Sequence, residues 1–588
     1  MNKQDEVVFK IELSKREAHH TIFFENAFAK QYVLSKYQPK RDAINQLGEE
    51  RGNKQTIWVI LGFALGYMVK ELLEDVAQEL EIIVIEPNEK LLEAQMNYEE
   101  NEKLRNKDNV HFICGENFGD LREKIKQCIP NAELSNIKIV PVKKYLEYYC
   151  DYYNNIKSIL EEVIMYKVVD RNTTLKYANL FTKNVIQNRY DICEGYDLSI
   201  VKGQLKDVPA LVVSGGPSLN KNIEFIKKFK GIIFVGNRTL SPVIAEGIEP
   251  DFIVALDPEN IAHSTLGDNA DNHIDMIVTD QCNHKVIEAH KGKKYFVNTH
   301  SGAEDLLGVN VNGGIAMGGS VATLCTSVAQ YMGCNPIVFI GQDCAYTDMK
   351  VHAEVCSNQK MDKNTSNDIQ SQNRELIQIE GYYGDKVWSS YDLISFLRWF
   401  ENFIKKDENT TYINATEGGA KIEGAYNEPF SDVVERYKDI IKPDLKQYNS
   451  KLNHDINVDS NLAQVNELLK GVKKEVVKAK KASEELEKEY KVYYGKRIKQ
   501  INALVCIMDE VDEYLKKDRQ LINFTKNIFT RYEILRSSII EQKEGIHESE
   551  YDKGLRIARH CYAVYSNIAD TCEEITTLIE EYGKQGMK

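Results

Sequence analysis

The chain has 588 residues, 43% of them hydrophobic and 28% charged, with a formal net charge of −14. That length predicts about three or four domains with real cores, and the acidic balance excludes a nucleic-acid binder that relies on overall attraction to phosphate. The 12 cysteines include no C-x-x-C pair and no Cys/His cluster with zinc spacing, so we expect buried, reduced thiols, no protein-held metal centre and a cytoplasmic location.

The opening MNKQDEVVFKIELSKREAHH has no apolar signal core. The longest apolar stretch, Ile57 to Val69, is shorter than the roughly 20 residues needed to cross a bilayer. No membrane span is expected. After a short lead-in of strand and helix, TIWVILG predicts a buried strand, Gly62 to Gly66 a tight turn, YMVKELLEDVAQEL an amphipathic helix and IIVIEP a second buried strand. This is a Rossmann-like opening, with Glu86 where a ribose-binding carboxylate would sit, although G-F-A-L-G is not G-x-G-x-x-G. The turn is read either as a dinucleotide or S-adenosylmethionine site or as a Rossmann-like unit without a ligand. VHFICG and IKIVPV predict further strands, and residues 151–195 a long helix. Residues 1–175 form the expected N-terminal region.

Residues 176–430 are expected to form a central α/β domain. Its strands are ALVVSGG, GIIFVGN, FIVALDP, MIVTD, KYFVN and PIVFIGQD, runs apolar enough to be buried on both faces of a mostly parallel sheet. Ligands bind such sheets at the carboxyl ends of strands. Residues 431–588, rich in Lys, Glu, Leu and Val, predict an all-helical C-terminal domain, with helices at Asn461–Tyr493, Lys499–Leu515, Leu521–Gln542 and Ser549–Tyr582. The fold class is therefore multidomain α/β.

Chemistry concentrates at the strand ends. Ser214-Gly215-Gly216-Pro217-Ser218 follows the first central strand, with a helix expected from Leu219. Glycines let backbone N–H groups approach an anion, and a helix N-terminus adds its positive end. The G-K-[ST] of an ATPase loop is absent. Asn237, in Gly236-Asn237-Arg238, can pair with a base or ribose. Asp257 can hold a ribose, a sugar hydroxyl or a metal, which leaves a Mg2+ between Asp257 and a phosphate open. Gly318-Gly319-Ser320 opens a second helix and a second potential anion site. Gln342 and Asp343 end the next strand, and Tyr346, Asp348, Lys350 and His352 crowd the loop behind them. Thr416 and Glu417 precede a Gly-Gly turn in YINATEGGAKIEG.

SGGPSL, VALDP, GQDCAYTD-x-K-x-HA and NATEGGA-x-I-x-G together resemble the motility accessory factor family, in that family's order, over residues 200–425. The central part is also similar to bacterial sialyltransferases that use CMP-sialic acid, with Gly216-Pro217-Ser218, Asn237, Gly319-Ser320 and Gly341-Gln342-Asp343 at the matching places. It departs from them in lacking an Asn in the first loop and in placing Tyr346 one position late. The resemblance implies a flagellin glycosyltransferase: a nonulosonic acid of the pseudaminic or legionaminic type passes from its CMP-activated form to Ser or Thr of flagellin before export. In that chemistry residues 214–218, Ser320 and Asn237 would hold the nucleotide. Tyr346 or Lys350 would stabilise the leaving phosphate. His352 or Asp343 would take the acceptor proton, with His300 and His263 as rivals. Two other readings compete: an ATP-dependent pyrophosphokinase acting on a hydroxymethylpterin, and a non-catalytic flagellin-binding chaperone.

Overall fold

The computed structural model describes residues 8–584 apart from 26–29, 49–55, 76–80, 116, 130–136, 357–374, 449, 453–456, 516–518, 537–548 and most of 261–270 and 300–314. His300 and residues 537–542 of the expected third C-terminal helix fall outside them. The chain forms two compact units. One comprises residues 1–172, 476–511 and 532–567, and the other residues 173–475, 512–531 and 568–588.

The first unit opens with an antiparallel sheet of β1 (Val8–Leu13), β2 (His20–Glu25) and β3 (Lys30–Tyr32). Its centre is a parallel sheet of β4 (Ile57–Leu61), β5 (Glu81–Glu86), β6 (Val110–Cys114) and β7 (Ile137–Pro141), in the order β6-β5-β4-β7. That is the order of half a dinucleotide-binding fold, in which a crevice opens where the winding reverses, here between β4 and β7. In this unit the crevice is filled. A Cβ on Gly62 would stand 2.8 Å from the ring of Tyr145, the buried tyrosine just past β7. Glu86 is fully buried and accepts hydrogen bonds from the N–H groups of Phe63 (3.0 Å) and Asn88 (3.4 Å). The carboxylate that the sequence offers to a ribose therefore braces its own turn, and glycine at position 62 makes room for an aromatic ring.

The second unit carries an eight-stranded parallel sheet. Its members are β8 (Ala210–Val213), β9 (Ile232–Gly236), β10 (Phe252–Ala255), β11 (Asp275–Thr279), β12 (Lys294–Val297) and β13 (Ile337–Ile340). After a small antiparallel hairpin of β14 (Ile377–Glu380) and β15 (Lys386–Ser389) come β16 (Tyr412–Asn414) and β17 (Tyr426–Asn427). The order is β12-β11-β10-β9-β8-β13-β16-β17. From β8 the chain winds outward to β12, then returns past β8 to β13 and winds the other way. The reversal between β8 and β13 marks where a ligand crevice belongs. The expected apolar runs all became strands, because a parallel sheet covered on both faces accepts four to five consecutive Val, Ile, Leu or Phe residues without a polar alternation. Val212, Phe234, Val254 and Phe339 share one face, which packs on the helices Val321–Met332 and Tyr391–Lys406 through Leu324, Val328, Leu397 and Phe400.

The long helix expected over 151–195 runs Cys150–Glu194. Near its end Asn184 donates to the carbonyls of Pro258 (3.1 Å) and Gln281 (3.0 Å), and Asn188 to those of Asp280 and Cys282. These amides hold the loops that follow β10 and β11. The C-terminal region is helical as expected, with helices at Val458–Tyr493, Ile498–Leu515, Arg519–Leu535 and Glu550–Tyr582, and its residues are shared between the two units. No described helix is long and apolar enough to cross a membrane.

Candidate active site

A cavity of about 390 Å³ lies at the carboxyl ends of β8, β9, β10 and β13, within the range of about 300–1,000 Å³ usual for small-molecule sites. Of the residues singled out from sequence, Ser214, Gly215, Gly216, Asn237, Asp257, Ser320, Gln342, Asp343 and His352 line it. Pro217, Ser218, Gly319, Tyr346, Lys350, Thr416 and Glu417 do not appear in its wall.

The turn after β8 is built differently from a phosphate loop. Its α-helix lasts only from Leu219 to Asn222, followed by a 3-10 stretch, Ile223–Lys228. The Ser214 N–H donates to Ile340 O, the Gly216 N–H to Gly341 O and the Leu219 N–H to Gly216 O. Ser218 is buried, and both its N–H and its hydroxyl donate to Asp343. The helix N-terminus expected at Leu219 is therefore already satisfied within the fold. In the turn, the Gly215 N–H alone has no partner among the described residues, and it borders the cavity.

Asp343 is 2% exposed and joins three turns. Its carboxylate accepts from Ser218 and from the Thr347 hydroxyl, and its carbonyl accepts from the Ala420 N–H (2.7 Å). Burial raises its pKa against the opposing pull of those hydrogen bonds. A Cβ on Gly216 would stand 2.5 Å from Asp343 Oδ1, and one on Gly419, where φ is +73°, 2.5 Å from Asp343 Cα. The Gly-Gly turn in NATEGGA is thus a back wall for Asp343. Thr416 bonds Asn414 and Gly418, and Glu417 Oε1 accepts from the Phe430 N–H (2.9 Å). Both brace that wall, and neither lines the cavity.

The loop after β13 divides. Tyr346 is 3% exposed, with its hydroxyl against Ser390 Oγ (2.7 Å) and its N–H on Trp388 O. It turns into the protein, because Cys344 takes a left-handed φ of +46° that redirects the chain. The exposed ammonium of Lys350 is paired with Glu354. Neither side chain lines the cavity. His352 does reach the cavity, since the Ala353 N–H donates to Gly215 O (2.9 Å) and lays that segment across the glycine turn. His263 is half-buried and outside the wall.

The sequence reading assigned no role to Arg238, the cation of the site. Half-buried in the cavity wall, it has no hydrogen bond or ion pair to a described residue. Its field opposes the burial that raises the pKa of Asp257. Across from it the helix Val321–Met332 begins. Ser320 caps it by accepting from the Thr323 N–H (3.2 Å), and Thr323 returns a bond to the Ser320 N–H. The N–H groups of Val321 and Ala322, which line the cavity, have no partner among the described residues. A twelve-residue helix presents its positive end there. Leu393 and Phe396 supply an apolar wall from a helix to which no role was assigned. The cavity therefore offers one cation, a helix N-terminus, an amide, a carboxylate, an imidazole and an apolar side. That set suits a phosphate-bearing nucleotide. Among the described residues no three His, Cys, Asp or Glu side chains cluster as metal ligands. A Mg2+ would take Asp257 from this wall, with phosphate and water completing its shell.

Residues 183–349 match the family model described as 6-hydroxymethylpterin diphosphokinase MptE-like. An uncharacterized protein of Treponema pallidum (strain Nichols) is 22% identical over 177 residues, 30% of this chain and 80% of that protein. Among solved structures, the Maf glycosyltransferase from Magnetospirillum magneticum AMB-1 shares the fold. Its TM-score is 0.57 at 12% identity, with 99% of this chain and 93% of that chain covered.

Proposed function

We propose that this chain is a glycosyltransferase that moves a nonulosonic acid, of the pseudaminic or legionaminic type, from its CMP-activated donor to a Ser or Thr hydroxyl of flagellin in the cytoplasm. The observation that carries the reading is the convergence of Arg238 and the open N-terminus of the helix Val321–Met332 on one cavity at the winding reversal of a parallel sheet. The shared fold with a Maf glycosyltransferase supports it, as do the four ordered motifs. The match to the diphosphokinase model covers the part of the chain that both readings need for phosphate, so it does not separate them.

In this reading the phosphate of CMP lies against Arg238 and the N–H groups of Gly215, Val321 and Ala322. Asn237 meets the nucleoside, and Phe396 and Leu393 cover an apolar face. The bond between the anomeric carbon and the phosphate oxygen breaks, and its electron pair leaves with CMP. The cation and helix dipole stabilise that charge where it develops. The acceptor oxygen bonds to the anomeric carbon, and its proton passes to His352, which borders the same cavity. Asp343 and Ser218 act as positioning residues behind the turn.

Calorimetric titration with CMP, UDP, ATP and S-adenosylmethionine tests the reading. CMP binding that Asn237→Ala and Arg238→Ala weaken, followed by a mass shift of flagellin with a CMP-sugar, is the expected result. ATP binding with no CMP binding would overturn it in favour of pyrophosphoryl transfer. Flagellin binding with no nucleotide bound would leave a chaperone.

A further inference from the structure

The loop Asp257–Asn260 separates two cavities. Asp257 lines the one described above, while Glu259 and Asn260 line a second, of about 370 Å³, at the carboxyl ends of β10 and β11. Its other walls are Lys183, Asn184 and Gln187 from the helix Cys150–Glu194, and Asn283, His284 and Lys285 after β11.

The loop is fixed by three hydrogen bonds from two asparagines. Asn184 and Asn283 both donate to Pro258 O (3.1 and 3.0 Å), and the Asn283 N–H donates to Asp257 O (3.0 Å). Glu259 is the one carboxylate of this wall, and it already faces Lys176 (3.2 Å). The two ammonium groups of the wall, on Lys183 and Lys285, have no ion pair with a described residue. Lys183 lies over the Tyr582 ring at 4.3 Å, and Lys285 stands exposed at the rim. His284 has a shielded Nδ1 without a hydrogen-bond partner, while its Nε2 lies 3.6 Å from Glu288 Oε2, and burial lowers its pKa against the opposing field of Glu288. Asn184 Oδ1 accepts from no described residue. The cavity thus combines two ammonium groups that have no ion pair with a described residue with amide and imidazole groups that donate to or accept from hydroxyls.

We infer that this second cavity binds a small hydroxylated anion of the sugar-acid class, its carboxylate between Lys183 and Lys285 and its hydroxyls toward Asn184 and His284. The inference stands on this wall alone and does not require the transferase reading. A ligand there rests against the loop that carries Asp257 into the neighbouring cavity.

Saturation-transfer NMR on the full chain tests it with glucuronate as the probe, glucose as the neutral comparator and inorganic phosphate as a competitor. Glucuronate should show transfer and glucose none. The double variant Lys183→Ala, Lys285→Ala should weaken glucuronate by about tenfold or more, the loss expected for charge-assisted bonds, while Arg238→Ala leaves it intact. Lys285→Glu, at an exposed position, repeats the test with little risk to the fold. Equal binding of glucose, displacement of glucuronate by equimolar phosphate, or a signal lost in Arg238→Ala and kept in the lysine variants would each overturn the inference. Loss of CMP binding alone would count against the transferase reading and leave this one untouched.

Discussion

Asp343→Asn exchanges one oxygen for an NH2 group at the point where three turns meet. The native carboxylate accepts from the Ser218 N–H, the Ser218 hydroxyl and the Thr347 hydroxyl, and the residue is 2% exposed. An amide has one oxygen with which to accept, so at least one charge-assisted bond is lost at a place water does not reach. Such a bond contributes about 1.5–3 kcal/mol. At about 2–4 °C per kcal/mol for a domain of this size, the melting temperature should fall by roughly 3–12 °C. Because the same bonds hold the turn whose Gly215 N–H faces the cavity, CMP affinity should fall with it. Scanning calorimetry and CMP titration on the purified variant measure both. Asp343→Ala, which leaves every donor unsatisfied, should do more of each. If Asp343→Asn abolished transfer while leaving melting and CMP affinity unchanged, the carboxylate would be the proton acceptor and the bracing role would be wrong.

Arg238→Gln should weaken CMP binding by about tenfold to a hundredfold and flatten its dependence on ionic strength, read by titration at two salt concentrations. Gly216→Ala should cost about 1–3 kcal/mol or more in stability, because its Cβ would stand 2.5 Å from both Asp343 Oδ1 and the Gly341 carbonyl oxygen. Gly215→Ala meets nothing nearer than Arg238 Cδ at 3.4 Å and should melt near the wild type. Burial raises the pKa of Glu86 from 4.5 to about 7. The folded chain therefore holds that proton more tightly than the unfolded one. The associated stability is complete below pH 4.5 and is lost as pH rises through 7, an effect on the order of 3 kcal/mol. Glu86→Gln should remove this slope, seen as protection factors of residues 57–61 and 81–86, taken relative to intrinsic exchange at each pH, that no longer fall between pH 5 and pH 8. Arg189 is fully buried and donates to Ile186 O (2.9 Å) and Gly583 O (2.6 Å), with Asp459 beside it (3.4 Å). Arg189→Met should lower stability by about 2–4 kcal/mol, measured by thermal melting.

The sheet was legible in the sequence because strands such as ALVV and IIFVG are short apolar runs closed by glycine, asparagine or aspartate. The strand ends that carry the site were legible for the same reason. Side-chain direction was not. Ser218 and Tyr346 lie in segments that border the cavity, yet one turns to Asp343 and the other to Ser390. Nothing in the order of residue types records that choice. Arg238 was visible beside Asn237, but its significance comes from having no partner, which only the packed structure reveals. Phe396 reaches the wall from a helix that begins about 50 residues beyond β13. In the first unit the Gly62 turn and Glu86 read as a nucleotide site. Tyr145, some 80 residues later, takes the crevice.

Gly216 and Gly419 abut the same aspartate from turns that are 200 residues apart, and Gly341 leaves only 2.0 Å between a would-be Cβ and the Ser214 carbonyl. A side chain at any one of them displaces backbone belonging to another. The three turns are therefore sterically coupled: a side chain gained at any one of these glycines is accommodated only by a shift in a neighbouring turn.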